Sequence, residues 1–223
     1  MPPILIKTKD NVTLVGAGPV SGSLLDLSLT RAPCLVAADG GAEVTRGTKH
    51  RPLAIIGDID SLTNDKYWQN SDIQIHEIPD QDTTDFEKCL SAIDAPLILG
   101  IGFTGGRLDH QVAVLSALWR FATTPVIILS DTDVCFLCPD ELYISLPADE
   151  RISFYPMRQV SGVSCSGLAW PVTGLTLQPD GLLGTSNRTT GDVSVRFDHT
   201  GVLVILPLEH LDAAIAALNK TGR

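Results

Sequence analysis

The sequence predicts an α/β domain followed by a domain of antiparallel strands. Up to about residue 131, short apolar runs alternate with segments of helical spacing, which is typical of a parallel α/β sheet. Beyond that point, strand-like runs follow one another, and Gly, Pro, Asp and Asn separate them. This spacing favours an antiparallel sandwich or barrel. We therefore expect two domains, residues 1–131 and 132–223.

The first half contains six predicted strands and three predicted helices. The strands are Val12–Val15, Cys34–Ala38, Leu53–Ile56, Ile73–Ile78, Leu97–Ile101 and Pro125–Leu129. The helices are Ser21–Leu29, Asp82–Ile93 and Leu108–Phe121. Open α/β sheets bind ligands outside the carboxyl ends of their strands. We therefore expect four carboxylates at one edge of this sheet: Asp39, Asp58, Asp60 and Asp109.

The second half contains seven short strand-like runs and one closing helix. The runs are Val134–Leu137, Leu142–Leu146, Ile152–Tyr155, Val160–Cys165, Val172–Leu177, Val193–Phe197 and Val202–Leu206. Leu208–Leu218 has the spacing of an amphipathic helix.

Composition excludes several classes of protein. The formal net charge of -10 argues against nonspecific nucleic-acid binding, which needs clustered Lys and Arg. No apolar run approaches the length of a membrane span, and the N-terminus lacks the pattern of a signal peptide. Five Cys at irregular spacing do not form a disulfide framework. We expect a cytoplasmic protein that binds neither nucleic acid nor membranes.

The central motif is Gly57-Asp58-Ile59-Asp60-Ser61, which follows an apolar run. On an extended backbone, Asp58 and Asp60 would point to one face and Ile59 to the other. Two neighbouring carboxylates repel each other, so either one takes up a proton or both share a cation. Mg2+ prefers such oxygen ligands. The motif therefore predicts a magnesium site at a strand end.

A second acidic motif follows at Asp80-Gln81-Asp82-Thr83-Thr84-Asp85-Phe86-Glu87-Lys88. A helix N-cap with acids in the first turn explains one or two of its carboxylates. It holds more carboxylates than a cap requires, and a shared cation is the interpretation we favour for the rest.

Paired glycines stand at two predicted strand ends, Asp39-Gly40-Gly41 and Thr104-Gly105-Gly106-Arg107. Glycines let the backbone approach a ligand closely and direct its N–H groups at it. Arg107 adds the positive charge that a polyphosphate requires. Gly16-x-Gly18 is a weaker pattern, for which a tight turn is the better interpretation, and no P-loop motif occurs.

Other candidates have ordinary structural explanations. Cys135-x-x-Cys138 has no second pair to complete a zinc site, so we interpret both as small apolar strand residues. Physical reasoning alone favours core packing for Trp170 and a turn for Ser186-Asn187.

Taken in order, the motifs at residues 38–42, 57–61, 80–90 and 105–110 resemble those of thiamin pyrophosphokinases. The resemblance continues weakly through residues 167–170 and 185–187, and Arg188 and the Cys135/Cys138 pair do not map onto it. It implies a Rossmann-like ATP-binding domain and a β-sandwich domain that binds thiamin. It also implies a homodimer with a shared active site, and transfer of pyrophosphate from ATP to thiamin, which gives thiamin diphosphate and AMP.

The resemblance also implies roles for individual residues. It implies that Asp58, Asp60 and Asp82 bind Mg2+ and act in catalysis. Which of the three accepts the proton of the thiamin hydroxyl stays open. The expected ATP-binding residues are Asp39, Gly40, Gly41, Thr84, Thr104, Gly106, Arg107, Asp109 and His110. The expected thiamin-binding residues are Trp170, Ser186 and Asn187. Two alternatives remain: ATP-dependent phosphoryl or nucleotidyl transfer to another small alcohol, and a non-catalytic nucleotide- or metal-binding module.

Overall fold

Parallel strands form the centre of the first half of the chain. The computed structural model describes residues 3–60, 62, 66–69 and 72–221, and Ser61 of the central acidic motif lies outside them. The chain divides into two compact units. The first holds the residues up to Ala117 together with Thr123–Asp131, and the second holds Leu118–Ala122 and the residues from Thr132 onward.

The helices and strands of the first half follow in the order β1 (Ile6–Lys7), β2 (Val12–Val15), α1 (Gly22–Arg31), β3 (Cys34–Ala38), α2 (Ala42–Thr45), β4 (Ala54–Gly57), α3 (Lys66–Gln69), β5 (Gln74–Glu77), α4 (Asp85–Ala92), β6 (Ile93–Asp94), β7 (Ile98–Ile101), α5 (Leu108–Arg120) and β8 (Val126–Leu129). A 3-10 turn at Asp39–Gly41 follows β3 directly.

Six of these strands form one run of parallel pairs, in the order β5, β4, β3, β2, β7 and β8, and β1 pairs separately with β6, also in parallel. Every residue of β2, β4, β7 and β8 is buried. Continuous apolar runs of this kind are typical of a parallel sheet that is covered on both faces. Because the strands run in one direction, the loops after β3, β4 and β7 lie at the same edge of the sheet.

The second half contains β9 (Asp133–Leu137), β10 (Glu141–Ile144), β11 (Ala148–Pro156), β12 (Val160–Leu168), β13 (Thr176–Leu177), β14 (Gly184–Phe197), β15 (Val202–Pro207), a 3-10 turn at Leu208–His210 and α6 (Leu211–Thr221). These strands pair antiparallel in the order β13, β12, β14, β11, β15 and β9, and β10 also pairs with β14. The buried rings of Phe136 and Phe154 lie in the core of this unit.

The prediction of a mixed α/β chain is confirmed, and several element bounds need correction. The helix predicted from Asp82 begins at Asp85, because Thr84 caps it. Of the strand predicted at Val172–Leu177, only Thr176–Leu177 is a strand. The strand predicted at Val193–Phe197 begins at Gly184, so Ser186 and Asn187 lie within a strand and not in a turn. Among the described residues, no helix has both the length and the apolar character that crossing a bilayer requires.

Candidate functional site

Three carboxylates meet at the carboxyl edge of the parallel sheet. Asp39 follows β3, and Asp58 and Asp60 follow β4. Each can place one oxygen within 4.8 Å of the others, and we call these three residues the acidic cluster. Asp39 is buried, whereas Asp60 is exposed. Three oxygen ligands in this arrangement suit a hard divalent cation.

The cluster is assembled by a turn rather than by an extended strand. β4 ends at Gly57, and Ile59 has a φ of 63°. A branched side chain rarely adopts this left-handed conformation. The prediction that Asp58 and Asp60 alternate along an extended backbone is therefore wrong, although both carboxylates reach the cluster. Ile59 itself is buried.

Gly57 allows the ends of β3 and β4 to approach closely. A Cβ atom at Gly57 would lie 2.6 Å from the Cβ atom of Asp39, which is closer than real side chains approach. Asp39 also has a positive φ of 40°. The glycine before the two aspartates thus has a steric role in forming the acidic cluster.

Lys88 provides a cation next to the cluster. Its Nζ lies 3.2 Å from Asp58 Oδ2 and 3.1 Å from Asp85 Oδ1, and its side chain is 2% exposed. Burial tends to raise the pKa of Asp58, but the hydrogen bond and charge of Lys88 and the backbone N–H of Asp60 outweigh it and lower that pKa. Asp58 is therefore held in its charged form.

The same ammonium group has a different effect on Asp85. There, burial is the largest influence and raises the pKa, with repulsion from Asp58 and Asp39 adding to it and Lys88 opposing it. For Lys88, burial opposes the charge, but the two carboxylates outweigh it and raise its pKa. A buried lysine paired in this way stays protonated.

The second acidic motif caps a helix. The hydroxyl oxygen of Thr84 accepts from the backbone N–H of Glu87 at 3.4 Å, and Glu87 Oε2 accepts from the backbone N–H of Thr84 at 3.0 Å. This reciprocal pair is a capping box. Asp80 accepts hydrogen bonds from the backbone N–H of Asp82 and from the Thr83 hydroxyl.

Local partners thus account for Asp80, Asp85 and Glu87, whereas a cation held by Asp82 stays a prediction. Asp85 pairs with Lys88. Asp82 is exposed and does not belong to the acidic cluster. Of the three predicted metal ligands, the structure therefore brings together only Asp58 and Asp60. The third carboxylate of the acidic cluster is Asp39 and not Asp82.

A cavity of about 570 Å³ opens beside the cluster. Most of the predicted ATP-binding residues line it: Asp39, Gly40, Thr84, Thr104, Gly106, Arg107 and His110. Gly41 is buried and is not part of the lining, and a Cβ atom there would collide with the Val15 carbonyl oxygen. Asp109 forms a bidentate pair with Arg107, with contacts of 3.2 Å and 2.6 Å, and both side chains are exposed.

Sequence reasoning missed several residues of this cavity. Gly18 lines it, and a Cβ atom there would lie 2.6 Å from the Gly102 carbonyl oxygen, so the Gly16-x-Gly18 pattern has a role beyond a tight turn. Phe86 and Phe103 form an apolar part of the wall, with ring centroids 4.6 Å apart. Lys88 also lines this cavity. It follows Thr84 by four residues, which places both on the same side of the helix, and this spacing is the signal that could have revealed Lys88.

The predicted thiamin-binding residues come together in the second unit. Trp170, Ser186 and Asn187 line a cavity of about 340 Å³ whose remaining wall is largely apolar. Trp170 is 56% exposed, so the interpretation of a core residue is wrong. Asn187 is buried, and Ser186 has a φ of 59° and donates its backbone N–H to Ser153 Oγ at 2.9 Å.

Cys135 fits the interpretation as an apolar strand residue, whereas Cys138 lies just after the end of β9. Both are buried free thiols. Burial raises the pKa of Cys135 to about 12 and raises that of Cys138 further above its ordinary value. Thiols in this state are poor nucleophiles and poor metal ligands.

Comparison with known proteins identifies relatives of both units. Residues 25–129 match the family model described as thiamin pyrophosphokinase, catalytic domain, and residues 141–202 match that of the vitamin B1 binding domain. Thiamine pyrophosphokinase 1 of Oryza sativa subsp. japonica is 32% identical over 190 residues, which is 70% of this chain and 72% of the relative.

Solved structures agree in fold. Thiamin pyrophosphokinase from Geobacillus thermodenitrificans is 25% identical, with a TM-score of 0.73 over 88% of this chain and 96% of that one. The enzyme from Candida albicans is 18% identical, with a TM-score of 0.76 over 93% of this chain and 94% of that one. At 18% identity, the similarity to the Candida albicans protein shows a shared fold only.

Proposed function

Since this chain belongs to the thiamin pyrophosphokinase family, we propose that it transfers a pyrophosphoryl group from ATP to the hydroxyl of thiamin, giving thiamin diphosphate and AMP. The observation that carries the proposal is the acidic cluster beside a cavity of about 570 Å³. A polyphosphate needs both a cation and room to bind, and the two lie together here.

Mg2+ is the proposed cofactor. Asp58 and Asp60 would hold it, and the carboxylate oxygens of Asp39 lie close enough to join them. The ion would neutralise the charge of the polyphosphate, which otherwise repels the carboxylates. Asp82 stays a predicted ligand, and its exposed position makes it the weaker candidate.

ATP is the proposed co-substrate in the cavity of the first unit. Arg107 and the backbone N–H groups of the glycine-rich loops would hold its phosphates, since they combine charge with close approach. Asp109 would orient the guanidinium of Arg107 through its bidentate pair. Thr84, Thr104 and His110 would complete the wall.

Thiamin is proposed to bind at the cavity of the second unit. The exposed indole of Trp170 offers a face on which an aromatic, cationic ligand can stack. Ser186 and Asn187 lie beside it. In the proposed homodimer, the second unit of one subunit completes the active site of the other.

Finer features of the fold belong to the same proposal. We infer a Rossmann-like ATP-binding domain at residues 1–131 and a β-sandwich domain for thiamin binding and dimerisation at residues 132–223. A cytoplasmic location is also part of the proposal, because ATP and reduced thiols are both available there.

One incubation tests the proposed function. The protein is mixed with ATP, Mg2+ and thiamin, and the nucleotide products are separated. AMP and thiamin diphosphate in equal amounts are the expected result, and omission of thiamin should abolish both. ADP would indicate a simple kinase instead, and no nucleotide turnover with thiamin or another small alcohol would indicate a binding module.

A further inference from the structure

Trp170 lies just beyond the point where backbone pairing ends. Strand β12 ends at Leu168, and the backbone N–H of Ala169 still donates to the Arg188 carbonyl at 2.8 Å. At Trp170 this backbone pairing is replaced by hydrogen bonds to a side chain. The residue that is proposed to stack on thiamin therefore depends on that side chain for its backbone position.

The side chain is that of Asn187. Its Oδ1 accepts from the backbone N–H of Trp170 at 3.2 Å, and its Nδ2 donates to the Trp170 carbonyl at 2.6 Å. One amide group thus satisfies both backbone groups of one residue, as a neighbouring strand would. Asn187 is 6% exposed, so its amide group is largely shielded from water, although Trp170 itself is exposed.

The amide has little capacity left for a ligand. Besides Trp170, Asn187 Oδ1 accepts from the backbone N–H of Arg188 at 2.8 Å, which fills both lone pairs of the carbonyl oxygen. A single N–H of Nδ2 remains, on a buried group. A direct contact with thiamin is therefore a poor explanation of why Asn187 lines the cavity.

We propose that Asn187 is a positioning residue, which acts on thiamin by fixing the backbone of Trp170 and with it the point from which the indole projects. This inference rests on the proposed function, because it assumes that thiamin stacks on Trp170. An exposed indole that is not held would lose conformational freedom on binding, and that cost would weaken the affinity for thiamin.

A double-mutant cycle tests the inference. Asn187→Ala, Trp170→Ala and the double variant are compared by calorimetric titration with thiamin and by steady-state kinetics. Asn187→Ala should raise the Kd and the KM for thiamin about tenfold, while the KM for ATP stays within about twofold. In the Trp170→Ala background, the same change should have no further effect. Additive losses would show that Asn187 contacts thiamin directly and would overturn the proposal.

Two further variants serve as a control and as a substitute for Asn187→Ala. Thr189→Val is the matched control, because Thr189 is buried in the same strand and its hydroxyl bonds residues other than Trp170. The hydroxyl donates to the Pro147 carbonyl at 2.6 Å and accepts from the backbone N–H of Glu150 at 2.9 Å. This variant should leave thiamin affinity unchanged, and an equal loss would mean that any buried defect in β14 has this effect. Asn187→Asp keeps the acceptor and loses the donor, so it should show the loss even where Asn187→Ala fails to fold.

The experiment distinguishes a failure of the positioning role from a failure of the proposed function. A wild-type protein that binds no thiamin would overturn both. A wild-type protein that binds thiamin and an Asn187→Ala variant that binds it equally well would overturn only the positioning role.

Discussion

At the scale of single residues, Asp58 lies between carboxylates on one side and an ammonium group on the other. It shares the acidic cluster with Asp39 and Asp60, and it accepts a hydrogen bond from the buried Lys88. The ammonium group of Lys88 compensates part of this negative charge and favours the charged form of Asp58. The remaining negative charge is what a divalent cation would neutralise.

Replacing Asp58 by Asn should reduce turnover about a hundredfold, because the cluster loses a charged ligand while its shape is kept. The measurement is AMP release at several Mg2+ concentrations, and high Mg2+ should recover part of the loss. Asp10→Asn, an exposed carboxylate ahead of the amino end of β2, is the control and should leave turnover unchanged. Full turnover in Asp58→Asn would remove the cluster from the mechanism.

The same assay separates Asp58 from Asp82. Sequence reasoning treats them as equivalent ligands, whereas Asp82 is exposed and lies outside the acidic cluster. We therefore expect a smaller loss for Asp82→Asn than for Asp58→Asn. Equal losses would show that the segment around Asp82 joins the site when the substrates bind.

Sequence reasoning found the acids of the site but not the geometry that joins them. The sequence predicts Asp58 and Asp60 as ligands because a shared cation relieves the repulsion between two neighbouring carboxylates. The left-handed backbone at Ile59 could not be predicted, since a branched residue is among the least favoured there and tertiary packing imposes it. Lys88 was missed because a lysine in a helix is usually exposed.

At the scale of elements, the start of α4 connects stability with the site. Thr84 and Glu87 form the capping box, and Asp85 and Lys88 in the same turn reach the cavity and the acidic cluster. A frayed first turn would therefore move both members of the Asp85–Lys88 pair.

Thr84→Val should lower the free energy of unfolding by about 1 kcal/mol, because the helix loses its N-cap. Urea unfolding monitored by circular dichroism measures this change, and turnover should fall with it. Thr30→Val is the matched control, since Thr30 is an exposed residue within α1 whose hydroxyl donates to the Asp26 carbonyl. Its effect should stay below about 0.5 kcal/mol, and equal effects in both variants would contradict the capping role.

Strands could be predicted from the sequence where burial makes them continuously apolar. The strands β3, β7 and β8 stand out as continuous apolar runs. The first half of β14 did not, because it is polar and begins beside the cavity of the second unit. Its pairing with β11 is a long-range contact that no local pattern records.

At the scale of the whole molecule, the proposed shared active site has a consequence for mixed dimers. If each site combines the first unit of one subunit with the second unit of the other, two inactive variants can complement each other. In a dimer of Asp58→Asn with Trp170→Ala, one site carries both defects and the other carries none.

Refolding an equal mixture of these two variants should restore about a quarter of wild-type turnover, since half of the dimers are mixed and each holds one intact site. AMP release before and after mixing measures it, with each variant refolded alone as the control. No recovery, with dimers present by light scattering, would mean that each subunit forms its own site.

The buried thiols offer a separate record of how the molecule unfolds. Cys89 is hidden in the first unit, and Cys135 and Cys138 are hidden in the second. Cys34 and Cys165 are only partly buried, so a short pulse of iodoacetamide on the native protein should modify them first. As urea rises, Cys89 and the Cys135/Cys138 pair should become modified at midpoints that belong to their own units. Mass spectrometry of the alkylated peptides would then show which half of the chain opens first, with no cysteine introduced by mutation.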